Sequence, residues 1–125
     1  MSWEVALKDL LEADVDVFAV VGTRIAPEVP QIPTFPLITY RQIGFDQDDV
    51  TGFASVWAQV TAWAETFGEA QSLEKKIRYA MQRYKGTVGG ETFRNITFQS
   101  GIDLKDSETG RYTRPSDYRL NYREG

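Results

Sequence analysis

The sequence feature that most constrains the fold is a strict alternation of small and large side chains between Ala54 and Ala64. One parity holds Val56, Ala58, Val60 and Ala62, and the other holds Trp57, Gln59, Thr61 and Trp63. Successive side chains of a β-strand point to opposite faces, so the pattern predicts a strand with a small-residue face and a tryptophan face. Either face could lie under helices and leave the other to meet something else.

A second strand is predicted just before this one. Leu37 to Ile43 alternates in the same way and is expected to end at Gly44. The polar stretch from Phe45 to Phe53 then has the length of a connector in an extended hairpin. These two strands therefore form the first of two long hairpins.

The second hairpin is predicted in the C-terminal third of the chain. Thr92 to Leu104 is expected to form a strand, and the turn Ser107–Gly110 leads into the last one. The apolar residues expected on one face of the first strand are Ile96, Phe98, Ile102 and Leu104. In the last strand, Tyr118, Leu120 and Tyr122 alternate with Arg119, Asn121 and Arg123. Pro115 has no backbone N–H, so it predicts a sheet edge or a bulge.

Helical periodicity marks two segments. One runs from about Trp3 to Ala13 after a cap at Ser2. A stronger one opens at Phe67 and is expected to continue up to the glycines at 86, 89 and 90, which mark its end and a loose connector. The short segment Val15–Val21 fits a helical turn or a strand. Residues 27–36 hold four prolines and form an extended loop. The order predicts one α+β domain over residues 1–125, an antiparallel or mixed sheet of two long hairpins packed by two α-helices on one face.

The chain contains neither cysteine nor histidine. These absences exclude Ser-His-Asp and Cys-His triads and the common zinc sites, so we expect no enzyme activity, no cofactor and no metal. A net charge of −4 argues against a dedicated nucleic-acid binder, whose phosphate contacts need a surplus of lysine and arginine. The N-terminus lacks a signal-peptide pattern and no stretch has membrane-spanning length, so we expect cytoplasmic synthesis and no membrane partner.

An acidic run, Asp46, Asp48 and Asp49, resembles the start of a calcium loop. The twelfth position counted from Asp46 is Trp57, where a calcium loop has a bidentate glutamate, so a solvated loop is favoured. If the protein forms a ring, these carboxylates could instead face its channel or a partner. The run is therefore a candidate contact region and not a predicted metal site.

The C-terminal strand interleaves basic and aromatic residues. They are Arg111, Tyr112, Arg114, Tyr118, Arg119, Tyr122 and Arg123. Such a pattern fits a protein interface, an ordinary half-buried strand with solvated arginines, or a surface that stacks nucleic-acid bases. The acidic balance of the whole chain favours the interface. Trp57 and Trp63 are likewise either core residues or a patch that contacts another subunit.

The order of several short motifs resembles the tail-completion proteins of long-tailed bacteriophages, among them tail terminators and tail-to-head joining proteins. The N-terminal helix with Leu10-Leu11 precedes Val21-Gly22-Thr23-Arg24-Ile25, and the proline run closes in Phe35-Pro36-Leu37-Ile38. Phe67-Gly68-Glu69-Ala70 opens the middle helix. The chain ends in Asp117-Tyr118-Arg119-Leu120-Asn121-Tyr122-Arg123-Glu124, similar to the C-terminal strand of that family.

The resemblance implies a structural virion protein that forms a hexameric ring at the head-proximal end of the tail tube. Such a ring stops tube polymerisation and joins the tail to the head connector around a channel through which DNA passes as cargo. Its partners would be copies of itself, the tail tube protein and the connector protein, with assembly in the host cytoplasm. By the same resemblance, Asp117, Tyr118, Arg119, Tyr122 and the Phe45–Phe53 loop are candidate contact regions. A head-side adaptor, a small-ligand-binding domain that uses the tryptophan face as a pocket, and a nucleic-acid module on the C-terminal hairpin remain alternatives.

Overall fold

A computed structural model describes residues 3–47, 53–82, 84–105 and 110–123. Its helices are α1 Trp3–Ala13, α2 Val15–Val21 and α3 Phe67–Met81. Its strands are β1 Ile25–Ala26, β2 Leu37–Gln47, β3 Phe53–Ala64, β4 Gly86–Val88, β5 Glu91–Gly101, β6 Leu104–Lys105 and β7 Tyr112–Arg123. The α+β class with two long hairpins, β2–β3 and β5–β7, is confirmed, with three helices where the sequence predicted two.

α2 and α3 begin where a side chain satisfies one or two of the first amides of the helix. Asp14 accepts hydrogen bonds from the amides of Asp16 and Val17, both at 3.0 Å, and so starts α2. This cap explains why the ambiguous segment 15–21 is a helix. At α3, the Thr66 hydroxyl accepts from the Glu69 amide at 3.2 Å and so caps the helix, and it also donates to the Glu69 carboxylate at 3.2 Å.

The strands form one mixed sheet in the order β1-β2-β3-β7-β5-β4, and β6 pairs with β7 beyond the end of β5. β1 runs parallel to β2 and every other pairing is antiparallel. β3 and β7 pair along their full length, from Phe53 opposite Arg123 to Ala64 opposite Tyr112. They therefore form the centre of the sheet and join the two predicted hairpins.

The small-residue face of β3 is the buried one. Its residues Ala54, Val56, Ala58, Val60, Ala62 and Ala64 are at most 1% exposed. All three helices contribute to the core on this side, through residues such as Leu7, Val17 and Leu73. Small side chains let the helices approach the sheet closely, so β3 decides which face of the sheet is covered.

Two predicted boundaries were wrong. β2 does not end at Gly44, because a bulge at Ile43 shifts the register and the strand continues to Gln47. α3 ends at Met81, well before Gly86, because Gln82 is extended and the Tyr84 ring packs edge-on against Phe93 at 6.0 Å. The predicted loose connector is instead β4 and its turn into β5. The Ser2 cap and the 107–110 turn include residues outside the described ranges.

The prediction for the β5 segment was right for Ile96 and wrong for Ile102 and Leu104, which are 59% and 51% exposed. A second register shift between Phe98 and Ser100 and the break after Gly101 reverse the parity of these positions. Pro115 is not at an edge, since β7 is central. Its carbonyl accepts from the Ile102 amide at 3.1 Å, so its missing N–H faces the interruption between β5 and β6.

Candidate docking surface on the open sheet face

The second face of the sheet carries the odd-numbered residues of β3 and β7, and within the described parts of the chain no helix packs on it. Every odd-numbered residue of β3 is half-buried, whereas every even-numbered one is buried. Trp57 and Trp63 lie on this face. We call it the open face. A face that is neither covered by a helix nor purely polar is a natural place for contact with another protein.

Hydrogen bonds connect side chains across the open face in rows. In one row the Arg41 Nε donates to Gln59 Oε1 at 3.2 Å, and Gln59 Nε2 donates to Asp117 Oδ1 at 3.3 Å. In another, the Ser55 hydroxyl donates to Asn121, whose Nδ2 donates to Asn95 Oδ1 at 2.6 Å. These bonds fix the polar side chains before any partner arrives, which lowers the entropy lost on binding.

One end of the open face forms a groove of about 410 Å³. Its lining residues are Asp46, Phe53, Ser55, Arg94, Asn95, Arg119 and Asn121. The guanidinium groups of Arg94 and Arg123 lie 5.3 and 5.9 Å from the centroid of the Phe53 ring, and that of Arg119 lies 5.1 Å from the Trp57 ring. Stacking on the rings holds the arginines in place while they remain exposed. We call this region the arginine groove.

The far end of the open face is aromatic. Trp63 donates its indole N–H to the Thr39 hydroxyl at 2.9 Å and lies 6.4 Å from the Phe35 ring. Arg111 stacks on Phe35 at 5.0 Å and lies 3.8 Å from the Glu65 carboxylate. A shallow cavity of about 180 Å³ beside Trp63 is lined in part by Arg41 and Tyr40. The cavity opens on the sheet surface, and Asp117 does not line it, so it does not resemble an enclosed ligand pocket.

The structure divides the predicted contact residues between the two faces of the sheet. Asp46, Asp117, Arg119 and Arg123 share the open face, and Arg111 lies at its far end. Asp48 and Asp49 lie outside the described residues. Tyr118 and Tyr122 are 0% and 3% exposed and pack in the core, so their side chains are not accessible to a partner. Arg114 also points to the helical side.

Arg114 belongs to a half-buried ionic cluster between α3 and β7. Its Nε lies 3.7 Å from the Glu74 carboxylate and its Nη1 lies 2.7 Å from Asp103, while Arg78 approaches Glu74 at 3.7 Å. Burial, and then the Glu74 charge, raise the pKa of the nearby Tyr118 phenol well above its usual value of 10.0. The cluster links a helix to the sheet, so we assign Arg114 a structural role.

The sequence matches the family model of the tail completion protein gp17 over residues 5–123. The chain belongs to this tail completion family. A chain from the virion of a native gene transfer agent particle has the same fold, with a TM-score of 0.80 at 17% identity, covering 95% of this chain and 92% of that one. A comparison with curated proteins gives no match.

Membership of the tail completion family gives this chain a structural role in a phage tail, not an enzymatic one. It is therefore a virion protein that assembles with other phage proteins. Within the described ranges, no cluster of three aspartate or glutamate side chains could hold a metal ion. No helix among the same residues is long and apolar enough to cross a membrane. For this tail completion protein, the chemistry to explain is protein contact.

Several residues of the open face of this tail completion protein escape sequence reasoning. Arg94 has the same parity as Ile96 and Phe98, which predicts the core side, but a register shift between Phe93 and Asn95 turns it outward. Phe53 and Ser55 carry no charge or motif that distinguishes them. Only the odd-numbered positions of β3, read together with the arginines of β7, could have indicated this groove.

Proposed function

We propose that this protein forms a hexameric ring at the head-proximal end of the tail tube, stops tube growth there, and joins the tail to the head connector. The observation that carries the proposal is the family match over residues 5–123, which makes tail completion the function to explain. In this proposal assembly takes place in the host cytoplasm, and DNA passes through the ring as cargo.

Two incompletely paired sheet edges support contact with copies and partners. β1 pairs only with Ile38 and Thr39, so within the described chain β2 has no second neighbour from Tyr40 onward. β4 pairs only with residues 91–93, so within the described chain β5 has no second neighbouring strand from Arg94 to Gly101. Unpaired amides and carbonyls at a strand edge can bind a strand of another chain. The bulges at Ile43, Arg94 and Gln99 interrupt the regular geometry of these edges, which makes uncontrolled aggregation through them less favourable.

The net charge of the chain supports a channel through which DNA passes without being bound. The net charge of −4 repels a phosphate backbone, so a channel built from this chain would let DNA slide without gripping it. A nucleic-acid module would need a basic surplus, and the chain has 14 lysines and arginines against 18 acidic residues. We therefore favour the ring over the nucleic-acid alternative.

Electron microscopy and sedimentation test this proposal. The purified protein, alone and mixed with tail tubes of the same phage, is expected to form rings and to cap one end of each tube, and tubes that polymerise in its presence are expected to keep a fixed length. A protein that binds the isolated connector but leaves tube ends bare would instead be a head-side adaptor. A strict monomer that neither caps tubes nor binds the connector would contradict both.

A further inference from the structure

The arginine groove has an excess of positive charge that the described chain does not neutralise. Arg94, Arg119 and Arg123 are exposed, and among the described residues none of them lies within ion-pair distance of a carboxylate. Of the residues that the structure describes, Asp46 is the one acidic residue that lines the groove. The guanidinium groups of Arg94 and Arg119 lie over the Phe53 and Trp57 rings, and Arg119 Nη2 donates to the Ser55 hydroxyl at 3.5 Å. Each guanidinium carries five N–H donors, so further donors are available to bind carboxylates.

The same chain carries a complementary surface at the junction of α1 and α2. Residues 12–18 contain Glu12, Asp14 and Asp16 and no basic residue. Val15 is 81% and Phe18 is 49% exposed, so two apolar side chains stand beside the carboxylates. We call residues 12–18 the acidic corner. Its mixture of carboxylates and exposed apolar groups matches a groove whose floor is Phe53 and whose sides are arginines.

One copy cannot bring these two surfaces together. Val17 and Leu11, on either side of the junction, pack in the core on the helical side of the sheet, whereas the groove lies on the open face. A contact between them must therefore join two copies through different surfaces. Contacts of this head-to-tail kind generate rings when the rotation between copies closes.

We propose that the acidic corner of one copy docks in the arginine groove of the next, and that this contact builds the ring. The inference rests on the proposed function for the ring itself and adds the surfaces that form it. Glu12 is already held 3.8 Å from Lys8, so Asp16, which is exposed and makes no ion pair in the described chain, is the main anchor. Asp14 keeps its role as the cap of α2.

Charge exchange between two variants tests the contact. In the groove variant, Arg94→Glu is combined with Arg123→Glu; in the corner variant, Glu12→Arg is combined with Asp16→Arg. Each variant alone meets like charge at every contact, so we expect its association constant in sedimentation velocity to fall at least about tenfold. A one-to-one mixture restores opposite charges at every contact, and it is expected to form closed rings with alternating copies, which an even number of subunits allows.

Matched controls separate this contact from the effect of net charge. Lys75→Glu with Lys85→Glu gives the same net charge as the groove variant but changes exposed residues away from the groove and the open face, and it is expected to associate like the wild type. Circular dichroism confirms that each variant folds. Wild-type association must weaken with added salt, because exposed charge pairs are screened.

A cross-linking experiment covers the case in which rings form only on the tail tube. The chain has no cysteine, so Val15→Cys and Asn95→Cys introduce the only thiols. On tail tubes, a mixture of the two single variants is expected to cross-link between copies with a short bismaleimide, and the double variant to give a ladder. Cross-links of Ile43→Cys to Asn95→Cys without any from Val15→Cys would show that the sheet edges form the ring and would overturn the inference.

The outcomes distinguish this inference from the proposed function. Rings that form on tubes and are unaffected by charge reversal in the groove and corner would refute the corner–groove contact and leave tail completion intact. A wild type that caps no tube and forms no ring would refute the proposed function as well. Loss of binding to a short DNA duplex in the groove variant, with unchanged self-association, would assign the groove to nucleic acid and also reject the proposal.

Discussion

Gly89, in the turn between β4 and β5, fixes the position of α1 against the sheet. Its φ is +58°, and a Cβ atom built there would lie 2.7 Å from the Ala6 Cα, 3.1 Å from the Ala6 nitrogen and 3.0 Å from the Asp9 carboxylate. The Ala6 backbone cannot yield as a flexible side chain could. Gly89→Ala must therefore move α1 or the turn, and α1 leads directly into the acidic corner.

The cost of Gly89→Ala has two components that a second glycine separates. Gly22 has nearly the same φ, +57°, and nothing lies within 4 Å of its Cβ position. Its ψ of −120° lies outside the left-handed helical region, so Gly22→Ala meets no clash and costs backbone strain alone, about 1–3 kcal/mol. Gly89→Ala combines backbone strain of about 1 kcal/mol with overpacking of about 1–3 kcal/mol, so we expect it to lower the free energy of unfolding by about 2–4 kcal/mol.

Urea denaturation of both variants measures the difference. In thermal melts of a chain of this length, 1 kcal/mol corresponds to a change of about 4 °C in Tm, so we expect losses of about 4–12 °C for Gly22→Ala and about 8–16 °C for Gly89→Ala. The urea m-value is expected to stay constant, since both variants retain the same folded surface. A loss of about 4 °C or less for Gly89→Ala, the amount that strain alone would cost, would refute the close approach between the turn and α1.

Three further changes test local features. Tyr118→Phe removes a buried hydroxyl that has no hydrogen-bond partner among the described residues, so we expect unchanged or higher stability at neutral pH. Because the folded pKa of Tyr118 is raised, its protonated form favours folding and wild-type stability is lost as pH rises above 10; chemical denaturation at pH 9 and 11 should show a smaller loss for the variant. Glu74→Ala leaves Arg78 and Arg114 without their shared carboxylate, and we expect a loss of about 2 kcal/mol in urea denaturation, less than for a fully buried pair because both arginines are partly exposed. Asp14→Ala removes the α2 cap and is expected to lower the free energy of unfolding by about 1 kcal/mol, whereas Asp14→Asn, which retains an accepting oxygen, is expected to lose little.

The elements that sequence reasoning predicts well are those with a long unbroken period. α1 was predicted with the bounds it has, and β3 with its small residues on one face and its tryptophans on the other. In both elements, burial determines which positions are apolar or small, so the spacing of these residues shows directly which of them share a face. The sequence does not show which of the two faces of β3 is buried, because burial depends on where helices that are distant in sequence pack.

The errors lie where the strand period is interrupted. Bulges at Ile43, Arg94 and Gln99 each insert a residue, and every position beyond a bulge changes face. No side chain marks these bulges, since they follow from the twist of the sheet and the neighbouring strand. Arg94 was missed for this reason, and the same cause placed Ile102 and Leu104 wrongly. Tyr118 and Tyr122 show a further limit: their alternation was identified, but which parity faces the core was not.

The two faces of β3 divide stability from assembly. On the helical side, Ala58 and Ala62 are buried and have no side-chain rotamers that could adjust. The distance between the helices and the sheet backbone therefore determines the packing, and few larger residues can be accommodated there. On the open face, Trp57 supports Arg119 and Gln59 joins Arg41 to Asp117, so the side chains are ordered without being buried. An ordered, uncovered polar face contributes little to the stability of a monomer, because its hydrogen bonds replace bonds to water. Its order is useful when a second surface docks on it, and this physical reason makes the open face the place to look for contacts between copies.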